Sequence, residues 1–350
     1  MVLGPGENEV RKLQSTGGST FTISLPKPWV LAQGLNARDS LRMDWRPSGA
    51  LRVTPLDLAT SFGKHVYFDF DTLPENSLHD HLMGAYISGA DLITIECGGG
   101  GRQMINPPIR RFLRATRGFE IIEESDTRLD LRCLLNAGDM PLHSSLNRMY
   151  LQVTSLMRDV ISVFEGGDSE FISDAEERES EVDALLYLIE RQVRILLDSH
   201  LVATKLNLTR TQALEYANLA RCLERMMDHA FTMAQFIIEY PQIIEQNAEE
   251  SPIHHVPEWQ SALKELMINI RTRDSTRIEE ARHQLKALQK TLLVYEHNIL
   301  SERGAGQWMA QNLSLSESVR RLCAYSRDFG EILLNMKVST EMMRVRKVVL

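Results

Sequence analysis

Only four cysteines occur in 350 residues, Cys97, Cys133, Cys222 and Cys323, and no two form a CxxC pair. That scarcity argues against a zinc finger or a disulfide framework; it fits a reducing cytoplasm, with all four thiols structural. Apolar runs long enough to span a bilayer are also lacking, and the opening MVLGPGENEV shows no basic-then-apolar signal pattern, so no integral membrane protein is expected. Catalytic signatures are missing too. There is no GxGxxG, no GxxxxGK[ST], no nucleophile elbow and no Ser/His/Asp constellation. Carboxylate-bridged dimetal oxidases place Glu-x-x-His on their helices, and none of Glu176, Glu177, Glu179, Glu181, Glu190, Glu215 or Glu224 has a histidine three residues on. The chain therefore reads as a regulatory or binding protein, not an enzyme.

What is present is an ordinary balance, 43% apolar and 25% charged, on a length sufficient for two or three domains. Charge is unevenly placed. Residues 1–56 carry seven Lys and Arg against four Asp and Glu, whereas the remainder carries 32 of the 39 basic and 43 of the 47 acidic residues. A polyanion partner would therefore meet the N-terminal segment.

The stretch 218–238, NLARCLERMMDHAFTMAQFII, predicts an amphipathic helix. Ala217, Ala220, Leu223, Met227, Ala230, Ala234 and Ile237 recur in steps of three and four, and Glu224 and Asp228 sit among them one turn apart. Both carboxylates should look towards the bundle, which is costly without a counter-ion, a hydrogen bond or a metal. The preceding helix repeats the device. Ser173 with Glu176 reads as its capping box, Val182, Leu185, Leu186, Ile189, Val193 and Leu196 form its apolar face, and Glu179 and Asp183 flank that face. Packed antiparallel, the two helices would bring four carboxylates to one oxygen-rich site suited to iron, zinc, manganese or magnesium. The competing reading pairs these acids with Arg178, Arg221 and Arg225.

The string ARCLERMMDHA, with a matching ExxxD on the helix before it, resembles PhoU, the phosphate-uptake regulator built of two three-helix repeats. The resemblance covers roughly residues 144–338 and implies that Glu179, Asp183, Glu224 and Asp228 hold a metal cluster. It also implies a role in phosphate uptake or metabolism. Later in the chain, Ile278, Ala281, Leu285, Leu288, Leu292, Tyr295 and Ile299 predict one packing seam, and Leu315, Val319, Leu322, Ser326, Phe329 and Leu333 a second. Laying SVRRLCAYSRDFG on LARCLERMMDHAF puts Cys323 on Glu224 and Arg327 on Asp228, so the second repeat keeps its packing residues and loses its acids. Arg327 and Asp328 are left for a salt bridge or a partner-facing surface.

Residues 1–57 read as short strands about one short helix: EVRKLQ, then FTISL after Gly17 and Gly18, a helix in LPKPWVLAQGL, and a last strand pair around Ser48-Gly49. So few large apolar groups cannot build an independent core, and a homodimer is expected. The run VRKLQSTGGSTFTISLPKPWVLAQGLNARDSLRM resembles the AbrB/SpoVT swapped-hairpin DNA-binding family. That likeness places Arg11 and Lys12 on the basic strand that contacts DNA; Lys27 and Arg38 join them by charge and turn position. A module that only dimerises remains the alternative.

Residues 58–143 alternate strand and helix and predict a small α/β unit. Its Gly98–Gly101 run, five residues short of a helix expected to start at Pro107, reads as a flexible loop and not a phosphate cradle, and His79 and His81 as surface residues. The expected chain is thus multidomain: a small all-β swapped hairpin (1–57), a small α/β linker domain (58–143) and an all-α bundle of two three-helix repeats (144–350). Two functions stand. One is a phosphate-responsive, DNA-binding regulator; the other is an adaptor that docks on a phosphate transporter or sensor kinase.

Overall fold

A computed structural model describes residues 9–18, 20–45, 50–56, 63–98, 101–241, 251–301 and 306–342. The chain forms two units, which part between Gly63 and Lys64. In the first, β1 (Gln14–Thr16) and β2 (Thr20–Thr22) pair antiparallel. Gly17 and Gly18 turn the chain between them at φ of 67° and 76°, left-handed values that an L side chain disfavours. Helix α1 (Lys27–Ala32) starts behind Pro26 and carries Pro28 in its first turn, where no N–H donor is needed. Strands β3 (Leu41–Trp45) and β4 (Leu51–Pro55) form a second antiparallel pair; the Ser48-Gly49 turn lies outside the described residues.

The strand expected over EVRKLQ begins only at Gln14. Strand geometry needs a neighbour to share its backbone hydrogen bonds, and among the described residues none pairs with 9–13. Nor does this unit enclose a core. Pro55 is the only buried position among the described residues of 9–56, while Val10, Phe21, Leu31 and Met43 are each well over half exposed.

The second unit opens with a four-stranded sheet in the order β5-β6-β8-β7, where β5 is His65–Asp69, β6 Leu92–Glu96, β7 Phe119–Glu124 and β8 Arg128–Cys133. Helix α2 (Leu78–Ile87) carries the crossover that makes β5 and β6 parallel, and β8 joins antiparallel to both of its neighbours. Helix α3 starts at Arg102, five residues earlier than expected, and runs to Ala115 with Pro107 and Pro108 inside it. The prolines cost it the donors to the Gln103 and Met104 carbonyls; both residues lie on the exposed side, where water can serve instead. Leu82, Tyr86, Ile95, Ile105, Phe112 and Leu131 fill the space between helices and sheet. His81 spends its Nδ1 on the Ser77 carbonyl and sets its ring edge-on to Phe68. Gly99 and Gly100 lie outside the described residues.

Among the described residues six long helices follow in two sets of three: α4 (Leu142–Phe164), α5 (Ala175–Asp198) and α7 (Arg210–Glu239), then α8 (Val256–Thr272), α9 (Ser275–Ser301) and α10 (Gln307–Glu341). A short helix, α6 (His200–Lys205), lies in the α5–α7 connection. Both late seams are as the sequence spaced them, every member buried except Tyr295, whose hydroxyl donates to Asn312 at 3.0 Å. The two sets share one core. At their junction the Trp259 indole donates to the Ser326 hydroxyl at 2.8 Å, and that hydroxyl in turn lies 3.7 Å from the Met226 sulfur.

The capping box expected at Ser173 is absent. A 3-10 turn over Ser169–Ile172 places Ser173 at its own end, with its hydroxyl on the Glu170 carbonyl, and α5 begins after Asp174. A capping box does start α7, where Thr209 and Gln212 exchange side-chain and backbone hydrogen bonds.

One buried cation joins sheet and bundle. Arg191 of α5, 3% exposed, donates to the Tyr86 carbonyl at 2.9 Å, approaches Asp91 at 3.4 Å and lies over the rings of Tyr86 and Phe119. Its neighbour Gln192 donates to the carbonyls of Ala137 and Met140. Arg191→Ala should lower stability by about 3 kcal/mol, because it leaves a carbonyl without its donor and opens a cavity between two layers. Urea denaturation checks this, and a loss below about 1 kcal/mol would contradict the assigned role.

Candidate metal centre

Helices α5 and α7 pack along their length, and their acids meet across the seam. Glu179 feels the charge of Asp228, Asp183 those of Glu179 and Asp228, and Glu224 those of Asp228 and Asp183. That pattern follows from antiparallel helices whose ExxxD pairs face each other. Glu179, Asp183 and Glu224 are half-buried, whereas Asp228, expected to look into the bundle, sits at the exposed edge. Four residues of helix turn the chain about 40° past one revolution, which carries Asp228 off the stripe that holds Glu224.

All four carboxyls titrate above the ordinary range. Partial desolvation in the groove is the larger cause, and for Glu179, Asp183 and Glu224 the neighbouring negative charges add to it. Asp183 is raised to about 6 and Glu224 to about 7. The arginines expected as alternative partners make their close contacts elsewhere, although Arg225 and Arg221 still lower the Glu224 pKa and Arg225 that of Asp228. Arg178 binds Asp159 at 2.5 Å and Asp174 at 2.8 Å, Arg221 closes on the buried Glu190, and Arg225 lies 5.6 Å from the centre of the Tyr325 ring. No ion pair reaches any of the four acids among the described residues.

The side chains as placed do not close round an ion, since among the described residues no three His, Cys, Asp or Glu side chains form a ready ligand set. The chemistry of the donors nevertheless suits a cation. Four clustered carboxylates, three of them raised by their neighbours' charge and only partly relieved by Arg221, Arg225 and His229 nearby, are what a hard, oxygen-seeking ion would relieve. Beside Asp228, the His229 ring lies tilted at 5.9 Å from the Tyr325 ring, and burial lowers its pKa while the Asp228 charge acts the other way. In the second repeat the matching positions are closed. Cys323 is fully buried with its thiol pushed up to about 12, and Arg327 donates to Gln289 at 2.8 Å instead of pairing with Asp328.

The Glu179–Asp183 edge also borders a cleft of about 810 Å³ whose opposite wall is α3. Arg110, Arg111 and Arg114 line that wall, and nothing in the reading of the acid motifs pointed to them. The available signal was composition: residues 102–117 hold five arginines and no acid in a chain of net charge −8. In the first unit Arg11, Lys12, Lys27 and Arg38 are all exposed; Arg11 pairs with Glu9, and Arg38 has a left-handed backbone at φ 81°.

Because the folded-state pKa values of Asp183 and Glu224 lie above those of an unfolded chain, near about 4, the folded protein holds more protons between pH 4 and 7. Metal-free stability is therefore greatest at the acid end of that window and falls as pH rises through it. Glu224→Gln should remove about 1 kcal/mol of this fall, after allowance for solvent screening of a half-exposed group. Thermal melts in chelator at pH 5 and pH 8 check the sign; a wild-type protein more stable at pH 8 would refute it.

No curated protein matches the chain. The PhoU domain matches residues 146–237, the segment that runs from the first turns of α4 through α5 to the end of α7 and carries all four carboxylates.

Proposed function

We propose that the chain is a phosphate-responsive regulator whose PhoU-like helices hold a metal ion and whose first unit binds DNA as a dimer. The PhoU-domain match on the helices that carry four carboxylates with no ion pair among the described residues is the observation that supports it. Glu179, Asp183, Glu224 and Asp228 would hold the ion, with iron, zinc, manganese and magnesium all compatible with carboxylate oxygens. The bound ion supplies positive charge at a seam that otherwise repels itself. Asp228→Asn should accordingly lower bound metal per chain and shrink the metal-induced rise in melting temperature, while the metal-free variant is as stable as the unaltered protein or more so. Elemental analysis with melts in chelator measures both. A purified protein without metal, whose melting point no divalent or ferric ion shifts, would sink the coordination claim.

For the first unit, the uncovered Val10, Phe21, Leu31 and Met43 support an interleaved dimer of AbrB/SpoVT type, in which a second copy covers these side chains and completes the strand over residues 9–13. Arg11 and Lys12 on that strand, with Lys27 and Arg38, would face phosphates. The pairing of Arg11 with Glu9 favours a second reading, an adaptor in which the unit only dimerises and the helices dock on a phosphate transporter or sensor kinase. Binding of the purified protein to DNA across salt concentrations separates the two. Replacing Arg11 and Lys12 with Ala should flatten the slope of log affinity against log salt by at most about two units. No DNA binding at low salt by a protein that light scattering shows to be a dimer would leave the adaptor.

A further inference from the structure

The cleft between α3 and α5 is not explained by a metal seam or by DNA contact. On α3 the apolar residues Ile105, Ile109 and Phe112 turn into the sheet. The opposite stripe, stepping by three and four from Gln103 through Arg110 to Arg114, faces the cleft together with Arg111. Like charges three and four residues apart on a helix repel, so this arrangement weakens α3 unless something negative meets it. The negative groups across the cleft do not. Glu179 and Asp183 stand on the far wall, yet among the described residues none of Arg110, Arg111 and Arg114 has an ion-pair partner. His79 lines the same space, and its Nδ1 is shut off from solvent with no hydrogen-bond partner among the described residues.

We propose that this cleft is a binding site for a polyphosphoryl ligand, with its phosphoryl oxygens held by Arg110, Arg111 and Arg114 and its counter-cation shared with Glu179 and Asp183. Arginine suits this because its planar fork matches phosphoryl oxygens bidentately, and three forks spread along one wall can hold more than one phosphoryl group at once. The volume points the same way: about 810 Å³ is that of a site for a whole small molecule, not for one inorganic ion. Wall charge makes a second demand. A bare polyanion would face three carboxylates, Glu176, Glu179 and Asp183, whereas a cation-chelated one offers each wall its opposite sign. Two sources share this chemistry, a nucleotide and an inorganic polyphosphate, and the cleft could seat the organic part of the first against Met83 and Tyr187. The cation-dependent part of the proposal rests on the metal-binding reading given above; the arginine wall does not.

Isothermal titration of the full-length protein with ATP, pyrophosphate and inorganic phosphate, each with magnesium and with chelator, tests it. ATP or pyrophosphate should bind once per chain, more tightly than inorganic phosphate and more tightly with magnesium. Arg110→Ala with Arg114→Ala should weaken binding at least tenfold in both conditions, without lowering the melting temperature, since both side chains are exposed. Arg114→Lys keeps the charge, loses the fork and should weaken binding several-fold. Tighter binding of ATP than pyrophosphate identifies a nucleotide as the ligand class, and equal affinities identify the inorganic chain; either supports the site. Binding that survives in chelator, depends on the arginines and gains nothing from magnesium overturns the shared cation and keeps the anion site. No heat from any of the three compounds in magnesium, or equal binding by the unaltered and double-variant proteins, overturns the proposal. Asp228→Asn still decides the metal seam by elemental analysis in that case.

Discussion

A buried guanidinium holds the second unit together. Arg191 leaves water to lie over two aromatic faces and donate to a backbone carbonyl, and these contacts offset a desolvation cost of several kcal/mol. The price is met at the one helix that both layers need. Because α5 is pinned to Tyr86 and, through Gln192, to the chain at Ala137 and Met140, it cannot roll about its axis without breaking three hydrogen bonds. Asp183 and Glu179 stand about 80° and 120° round the helix from Arg191. Their presentation to α7 on one side and to α3 on the other is therefore set by a contact two to three turns away.

The contrast with the first unit is one of completeness. The helical core is continuous from Leu142 to Met336 and draws on all six long helices. The first unit has two antiparallel strand pairs and, at Gly17 and Gly18, a turn residue pair of the right chemistry, yet Val10, Phe21, Leu31 and Met43 remain in water. Local propensity is satisfied there and burial is not, which is why its ordering in a single chain carries so little hydrophobic stabilisation.

Period and chemistry in the sequence carried most of the helical region. The α9 and α10 seams, the facing ExxxD pairs and the loss of acids at Cys323 and Arg327 were all legible, because residues three and four apart on a helix share a face whatever surrounds them. Boundaries were less so. The start of α3 at Arg102 was hidden by two prolines that a helix with an exposed side can tolerate, and Ser173 looked like a cap until a 3-10 turn claimed its hydroxyl. Apart from the Asp174 contact of Arg178, four residues away, the partners of Arg178, Arg221 and Arg225 could not be read. Each is chosen by tertiary proximity to Asp159, Glu190 or Tyr325, residues between 19 and 100 positions distant along the chain. The arginine wall of α3 was visible as composition, but its acidic counterpart became apparent only once α5 lay opposite.

Those two walls, arginine on one side and carboxylate on the other, behave as a small charged capacitor. The field between plates of opposite sign is strong within the gap and nearly cancels outside it, and salt at physiological strength erases what remains within about 8 Å. The cleft therefore exerts almost no pull on a distant ion. Whatever enters is chosen on contact, by how its own charges are separated, and not gathered from solution by the sign of the protein.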